Sequence, residues 1–448
     1  MRWIFFLFFS LTVSVLAEQI TLFQALERVR HNNLELSIAS LDEEIARLEQ
    51  VAANGAVWGT LDLTQTALRS NDALSVFGFK LQSREATFGD FGFSQFDSTN
   101  PNVLHVMPDD LNEPKSRNHF QTALEYSIPL YTGGKIQTHQ KIAQALVTLK
   151  SLSKEELLAQ KQFEVKKTFY TLSLVHYHKE QLRTIASNVS QVEQMTQAML
   201  EEGYAKNVDL LEVQARKSDV ERLLHQSDAN QKLLLHFLSF LLQTPIDGIV
   251  LVNEDVTFDG YSEENILKNN IAIQKASKGL DISKMQIELA QSAFLPQVGA
   301  FASYGSSDDR FLNDFSDKQS YTLGIQMRWN ILRGGSDKST LEKSRVEHLK
   351  AQQQLRLAQE GTLLRWRTLK TQIDNDGFEI ESLKKELRLA EAIYENYLGR
   401  YREKLVSINE VLLKQSDEIA KRLKLRELQN RRNEKIFELE TLISKEIL

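Results

Sequence analysis

The residues best placed to do chemistry are acids beside chain reversals. Asp209 and Glu212 follow Gly203, and Glu410 follows Ser407. Carboxylates in such places attract cations when they line a passage, or they cap the helix that starts there. Ser407-Ile-Asn-Glu410 has the capping-box pattern, in which the glutamate reaches back to the serine backbone. Asp209 also falls in a first helical turn, where the helix dipole favours an acid. Neither role is catalytic. The chain has no cysteine, which excludes disulfides, thiolate nucleophiles, cysteine metal sites and a lipidated N-terminal cysteine. Nine histidines are scattered. His176 and His178, two apart, point in different directions on a helix and make a poor ligand pair. No metal, cofactor or enzymatic activity is expected. A net charge of −6 with 25% charged residues gives no basic surface for nucleic acid.

These acids sit in two long stretches that match each other. The first opens at Gly133-Gly134 and runs without proline to Thr244, with Gly203 as its only internal glycine before Gly248. The second opens at Gly334-Gly335, a shift of 334 − 133 = 201. The same shift carries Leu200 onto Tyr401, Asp209 onto Glu410 and Leu210 onto Val411. Equal spacing over this distance marks two copies of one unit. A helix from Gly134 to Gly203 would be about 100 Å long, so it belongs in a coiled coil. Val175, Leu182 and Val189 with Ile185, Val192 and Met199 form one seam. Leu210, Val213, Val220, Leu224, Leu234, Leu238 and Leu241 form the returning one, and Leu383, Leu387, Ala390, Tyr394, Tyr397 and Tyr401 repeat the pattern. Each copy therefore reads as a helical hairpin, turning near Gly203–Asn207 and near Lys404–Ser407.

An amphipathic helix over 21–54, with Leu34, Ile38, Leu41, Ile45 and Leu48 on one side, has its own copy over 262–293. Asn32-Asn33-Leu34 matches Asn269-Asn270-Ile271 at a shift of 237. The first copy thus holds 237 − 201 = 36 extra residues between its first helix and Gly133. They fall in an irregular stretch, 69–119, with three of the six prolines and six phenylalanines between Phe77 and Phe96. A stretch this long is usually functional or exposed. Around it, alternation places strands near 57–68, 120–131, 297–305 and 320–331. The last is the clearest: Tyr321, Leu323, Ile325, Met327 and Trp329 alternate with Thr322, Gly324, Gln326, Arg328 and Asn330.

Residues 1–17 have the basic, apolar and small-residue order of a secretory signal cut after Ala17. No later apolar run is long enough for a membrane helix. Strands of about ten residues with one apolar face suit an outer-membrane barrel, which must close on itself. Four strands cannot close an aqueous barrel, so several chains would have to share one. The domain reading is a first repeat over 18–244, an equatorial connector over 245–261 and a second repeat over 262–448.

This order of elements, together with Ser127-Ile-Pro-Leu-Tyr-Thr-Gly-Gly134, Asn330-Ile-Leu-Arg-Gly-Gly335, Leu295-Pro-Gln-Val298 and Leu241-Leu-Gln-Thr-Pro245, resembles the TolC family of outer-membrane efflux and export channels. The resemblance covers nearly the whole chain after the signal. It implies an α+β membrane protein: a homotrimer with four strands per chain in a twelve-stranded β-barrel, continued by a periplasmic α-helical barrel. It also implies outer-membrane lipid as surroundings, and a periplasmic adaptor and an inner-membrane pump or ABC transporter as partners. Three-fold symmetry would turn Asp209, Glu212 and Glu410 into rings at a periplasmic gate. Where similar proteins carry a gate arginine and a second acid, this chain has Val406 and Leu413, with Arg402, Lys404 and Glu212 nearby as substitutes. The adaptor-contact tips would be Gly203, Tyr204 and Ala205, and Lys404, Leu405 and Val406. Gly133, Gly134, Gly334 and Gly335 would turn strands into helices. The 69–119 stretch would be an extracellular loop or a lid over the barrel mouth. The rival reading is a periplasmic or secreted coiled-coil scaffold whose strands form a small soluble sheet.

Overall fold

The structure is a computed structural model that describes residues 19–252, 255–257, 260, 262–403 and 405–443. The expected signal, 1–17, and Lys404 lie outside the described residues. The chain divides into two compact units. One holds 46–147 and 280–350; the other holds the rest of the chain.

The first unit is built on a four-stranded antiparallel sheet. Its strands are β2 (Thr60–Ser70), β3 (Arg117–Tyr131), β5 (Gln297–Asp308) and β6 (Gln319–Arg328), in the order β2-β3-β5-β6. Alternation in the sequence becomes two faces through the register. Leu61, Leu63 and Ala67 pair with Tyr126, Leu124 and Phe120. Ala300, Ala302 and Tyr304 pair with Ile325, Leu323 and Tyr321. Directly paired residues share a face, so one face is apolar from β2 to β6. The opposite face carries Thr60, Asp62, Thr64 and Thr66 against Ser127, Glu125, Ala123 and Gln121, and then Ser303 against Thr322. The apolar face is uncovered: Leu63, Leu323 and Ile325 are each more than 70% exposed. β2 and β6 each leave one edge without a partner among the described residues.

Glycine makes the joints. At Gly59, φ is 71° and a Cβ would lie 1.8 Å from the Ser127 carbonyl oxygen, so no other residue fits where the chain enters β2. Gly133 and Gly134, like Gly334 and Gly335, are consecutive left-handed residues. The long helices start directly after them: α5 (Lys135–Glu201) and α9 (Ser336–Arg402), both of 67 residues.

The second unit is helical. α5 returns as α6 (Asn207–Leu242), and α9 returns as α10 (Ile408–Glu440). Ahead of each hairpin the sequence suggests one helix, yet the structure has two. The first pair is α1 (Leu22–Asn32) and α2 (Leu34–Gly55); the second is α7 (Glu263–Asn269) and α8 (Ile271–Ser292). The breaks fall at Asn33 and Asn270, both extended. Buried Asn33 accepts from the Glu35 and Leu36 amides, capping α2, and donates to the Leu241 carbonyl at 3.0 Å. Asn270 accepts from Ile273 and donates to the Leu442 carbonyl at 2.9 Å. Each asparagine satisfies helix-start amides and a helix-end carbonyl together.

Around these pins lie two apolar clusters. One joins Val29 to Val165, Phe169, Leu172, Leu238, Leu241 and Leu242; the other joins Ile266 to Trp366, Leu369, Ile373, Ile436, Leu439 and Ile443. A short parallel pair, β1 (Gln19–Ile20) with β4 (Gly248–Ile249), ties the start of the described chain to the connector. In this unit α5 meets α2 through Lys150–Asp42, Lys154–Glu43 and Lys161–Glu35. It meets α8 through Lys275–Glu156, and Asn270, just before α8, meets Thr362 of α9. The packing order is therefore α2-α5-α8-α9. α2 ends that row, and its apolar stripe is 54% to 65% exposed from Leu34 through Ile38, Leu41, Ile45, Leu48 and Val51.

Candidate functional site

Each hairpin turn is built by its own backbone before any side chain matters. At the first, Gly203 is left-handed at φ 81°, which lets the Tyr204 and Ala205 amides bond back to the Met199 carbonyl at 2.7 and 3.2 Å. Lys206 then starts α6, and its amide donates to the Asp209 carboxylate at 2.8 Å. At the second turn the Leu405 amide reaches the Arg400 carbonyl at 2.9 Å. Ser407 caps α10: its amide and hydroxyl donate to the Glu410 carboxylate at 2.8 and 2.9 Å, and its hydroxyl accepts from the Glu410 amide.

The capping box expected at Ser407–Glu410 is therefore present. The hydrogen bonds from the Ser407 amide and then its hydroxyl hold the Glu410 carboxyl below the ordinary glutamate range. Asp209 does the same backbone work on α6. Both acids are exposed, as is Glu212 one turn later, whereas the next residues, Leu210 and Val411, are buried against the hairpins. Neither Glu212 nor Arg402 forms an ion pair among the described residues, so no described pair supplies a salt-bridged gate. Of the expected tip residues, Tyr204 and Leu405 are largely exposed at 80% and 63%, Ala205 and Val406 are half-buried, and Gly203 carries the left-handed turn.

The 69–119 stretch differs from its expected irregularity. Asp72 caps α3 (Ala73–Gln82), 3-10 turns follow, and α4 (Asp109–Asn112) leads towards β3. A charged network anchors it. Glu85 pairs with Arg117 and with Lys318, and Lys318 also binds Asp308 at 2.7 Å. Burial works to lower the Lys318 pKa, but its bonds to Asp308 and Glu85 outweigh that and raise it. For Glu85 the balance has the opposite sign: burial raises, the Lys318 and Arg117 bonds lower more. Glu85, Asp308 and Asp309 place carboxylate oxygens within 4.8 Å of one another, with the Lys318 ammonium already among them. The network escapes sequence reading because it ties Glu85 to Lys318, 233 residues away. The asparagine pins had a signal in the repeated Asn-Asn pair.

With the fold in view, comparison with known proteins shows what the chain is similar to. Residues 264–444 match the profile of the family described as Outer membrane efflux protein. The chain is 23% identical over 240 residues to the alkaline protease secretion protein AprF of Pseudomonas aeruginosa, which covers 50% of this chain. It spans about half the length of that relative, 49%. The CmeC outer membrane channel of Campylobacter jejuni superposes with a TM-score of 0.78 at 13% identity, covering 94% of this chain and 85% of that one. The outer membrane protein VceC of Vibrio cholerae gives 0.72 at 15% identity, with 94% of each chain covered. These solved outer-membrane channels share its fold, a small sheet with long helices. The fold is that of these solved outer-membrane channels, as the resemblance read from the sequence implied, and residues 264–444 match the Outer membrane efflux protein profile.

Proposed function

We propose that the protein is the outer-membrane exit duct of an efflux or type I secretion system, passively conducting cargo delivered by an inner-membrane transporter through a periplasmic adaptor. An outer-membrane location with a large periplasmic portion agrees with the family and with its solved relatives.

One observation carries the reading: the sheet and the helix row, each taken by itself, end on elements left uncovered among the described residues. The sheet ends at β2 and β6, with unpaired edges of 11 and 10 residues. The helix row ends at α2 and α9. Exposed strand edges invite pairing, and an exposed heptad stripe wants a partner helix. α2 offers the stripe from Leu34 to Val51, and α9 offers Val346, Leu349, Leu357 and Leu364. Pairing β2 of one copy with β6 of the next closes the sheet, and packing α2 of one copy on α9 of the next covers the stripes of the helix row. Three copies of four strands give a twelve-stranded barrel. Its outer face is apolar, with Tyr304 and Tyr321 at one end and Trp58 and Trp329 towards the other. Tyr321 to Trp329 spans about 26 Å along the strand, close to the roughly 25 Å band such barrels expose. A soluble scaffold would leave this face in water.

The exposed Tyr204, Val208, Leu211 and Leu405 make the hairpin tips suitable for an adaptor. Asp209, Glu212 and Glu410 then form acidic rings, of which Asp209 and Glu410 double as caps. Purified protein in a planar bilayer tests the reading: stable, cation-selective conductance steps are expected. Folded protein that gives none would overturn it.

A further inference from the structure

We infer that the insertion over 71–116 is the exit filter of the barrel, folded back onto the sheet's polar face so that it narrows the opening through which cargo leaves. The inference rests on the shared-barrel reading above, in which the polar face is the interior.

The register decides the side. Arg117, His119, Gln121 and Ala123 alternate onto one face of β3, and Gln121 and Ala123 pair there with Thr66 and Thr64 and with Ser307 and Gly305. That is the polar face. The insertion packs on it. Phe79 of α3 stacks flat against His119, with ring centroids 4.2 Å apart and planes at 7°, and His119 is 2% exposed. Arg117 donates to Ser83 at 3.0 Å and pairs with Glu85. The loop between β5 and β6 goes to the other side. Its Phe311 meets Phe120 and its Phe315 meets Tyr304, both on the apolar face. One loop therefore turns inward and the other outward.

The insertion is fastened across the sheet. Glu85 binds Lys318, which also binds Asp308, and the Arg84 guanidinium donates to the carbonyls of Asp317 and Gln319 at 3.3 and 2.6 Å. Lys80 and Asp90 brace it internally. Phe88, Phe93, Leu104 and Met107 remain largely exposed in the single chain. Apolar groups crowded in an aqueous opening cover one another. Three insertions, one per copy, supply each other with that cover.

The chain lacks cysteine, so Leu104→Cys, at a 90% exposed position, introduces a single thiol without disturbing the fold. Full-length protein in a planar bilayer is compared before and after coupling a bulky hydrophilic maleimide, with labelling verified by mass. Coupling is expected to cut the conductance by about half or more. Glu85→Gln with Lys318→Met, which loosens the fastening, is expected to raise it by about twofold and to admit larger poly(ethylene glycol) probes. Unchanged steps in both the labelled and the loosened protein would overturn the filter and leave the barrel standing. No steps from the unmodified protein would overturn the barrel, and the filter with it.

Discussion

The two hairpins share a 67-residue first helix and turn at equivalent positions but are held together differently. The 201 shift lays Trp366 on Val165, Ile373 on Leu172, Leu439 on Leu238 and Ile443 on Leu242, so their apolar clusters correspond. One turn further the chemistry changes. Asp376, 2% exposed, binds Arg431 at 2.9 Å and Lys435 at 2.7 Å, where the first hairpin has Val175, Asn230 and Leu234. Lys421 reaches Glu386 at 3.0 Å, where the first hairpin has Val220 and Ile185. Burial and ion pairs thus exchange at matching positions, in both directions: the first hairpin's Lys179–Asp228 pair falls where the second has buried Ile380. The backbone geometry tolerates either solution, provided a buried acid keeps its partners.

Hydrogen exchange, resolved by segment, can break this comparison. The largest effect is expected from Phe169→Ala in the apolar hairpin. It empties a fully buried site and costs about 3–5 kcal/mol of protection in α5 and α6. Similar protection in variant and parent would mean that the cluster is not what holds that hairpin.

Arg431→Ala with Lys435→Leu strands Asp376 and is expected to cost about 3 kcal/mol in α9 and α10. Adding Asp376→Val, which imitates the first hairpin, should restore most of it. Failure of that third substitution to rescue would show that the ion pairs do more than neutralise a buried charge. Added salt should loosen the second hairpin more than the first, because pairs such as Lys421–Glu386 are partly exposed and screened.

Asn33→Ala and Asn270→Ala each remove a cap and a buried donor. About 1–2 kcal/mol of local protection should go at α2 and α8 respectively, leaving the hairpin tips unchanged. The smallest effect concerns Glu410. Its carboxyl titrates below the ordinary range, so its capping contribution is complete above the unfolded glutamate pKa and disappears as pH falls through the lowered folded value. Acid should therefore fray the start of α10 in the parent. Glu410→Gln should make that fraying independent of pH; an unchanged acid response would assign it to another group.

Local chemistry was readable from the sequence wherever it determined the outcome. The period-two run from Tyr321 to Met327, the paired glycines before each long helix and the Ser407–Glu410 box all describe conformations set within a few residues. The breaks at Asn33 and Asn270 were less legible, because an asparagine in a helical pattern breaks it only when a distant carbonyl, Leu241 or Leu442, is there to receive its amide. The folded insertion was invisible, since Glu85 is fixed by Lys318 from the other half of the chain. The stripe from Leu34 to Leu48 was visible, but nothing in the sequence named its partner. An apolar helix face states that it wants cover and does not state whose.

That missing cover is the account's central claim, and disulfide cross-linking tests it most directly. In the cysteine-free chain, one cysteine is fixed at Leu63 on β2 and a second is scanned along β6 at Leu323, Ile325 and Met327, in protein still in the membrane. Edge-to-edge pairing between copies predicts oxidised products at one register, in a ladder that stops at three chains. Products confined to one chain, or a ladder running past three, would contradict a barrel closed by three copies.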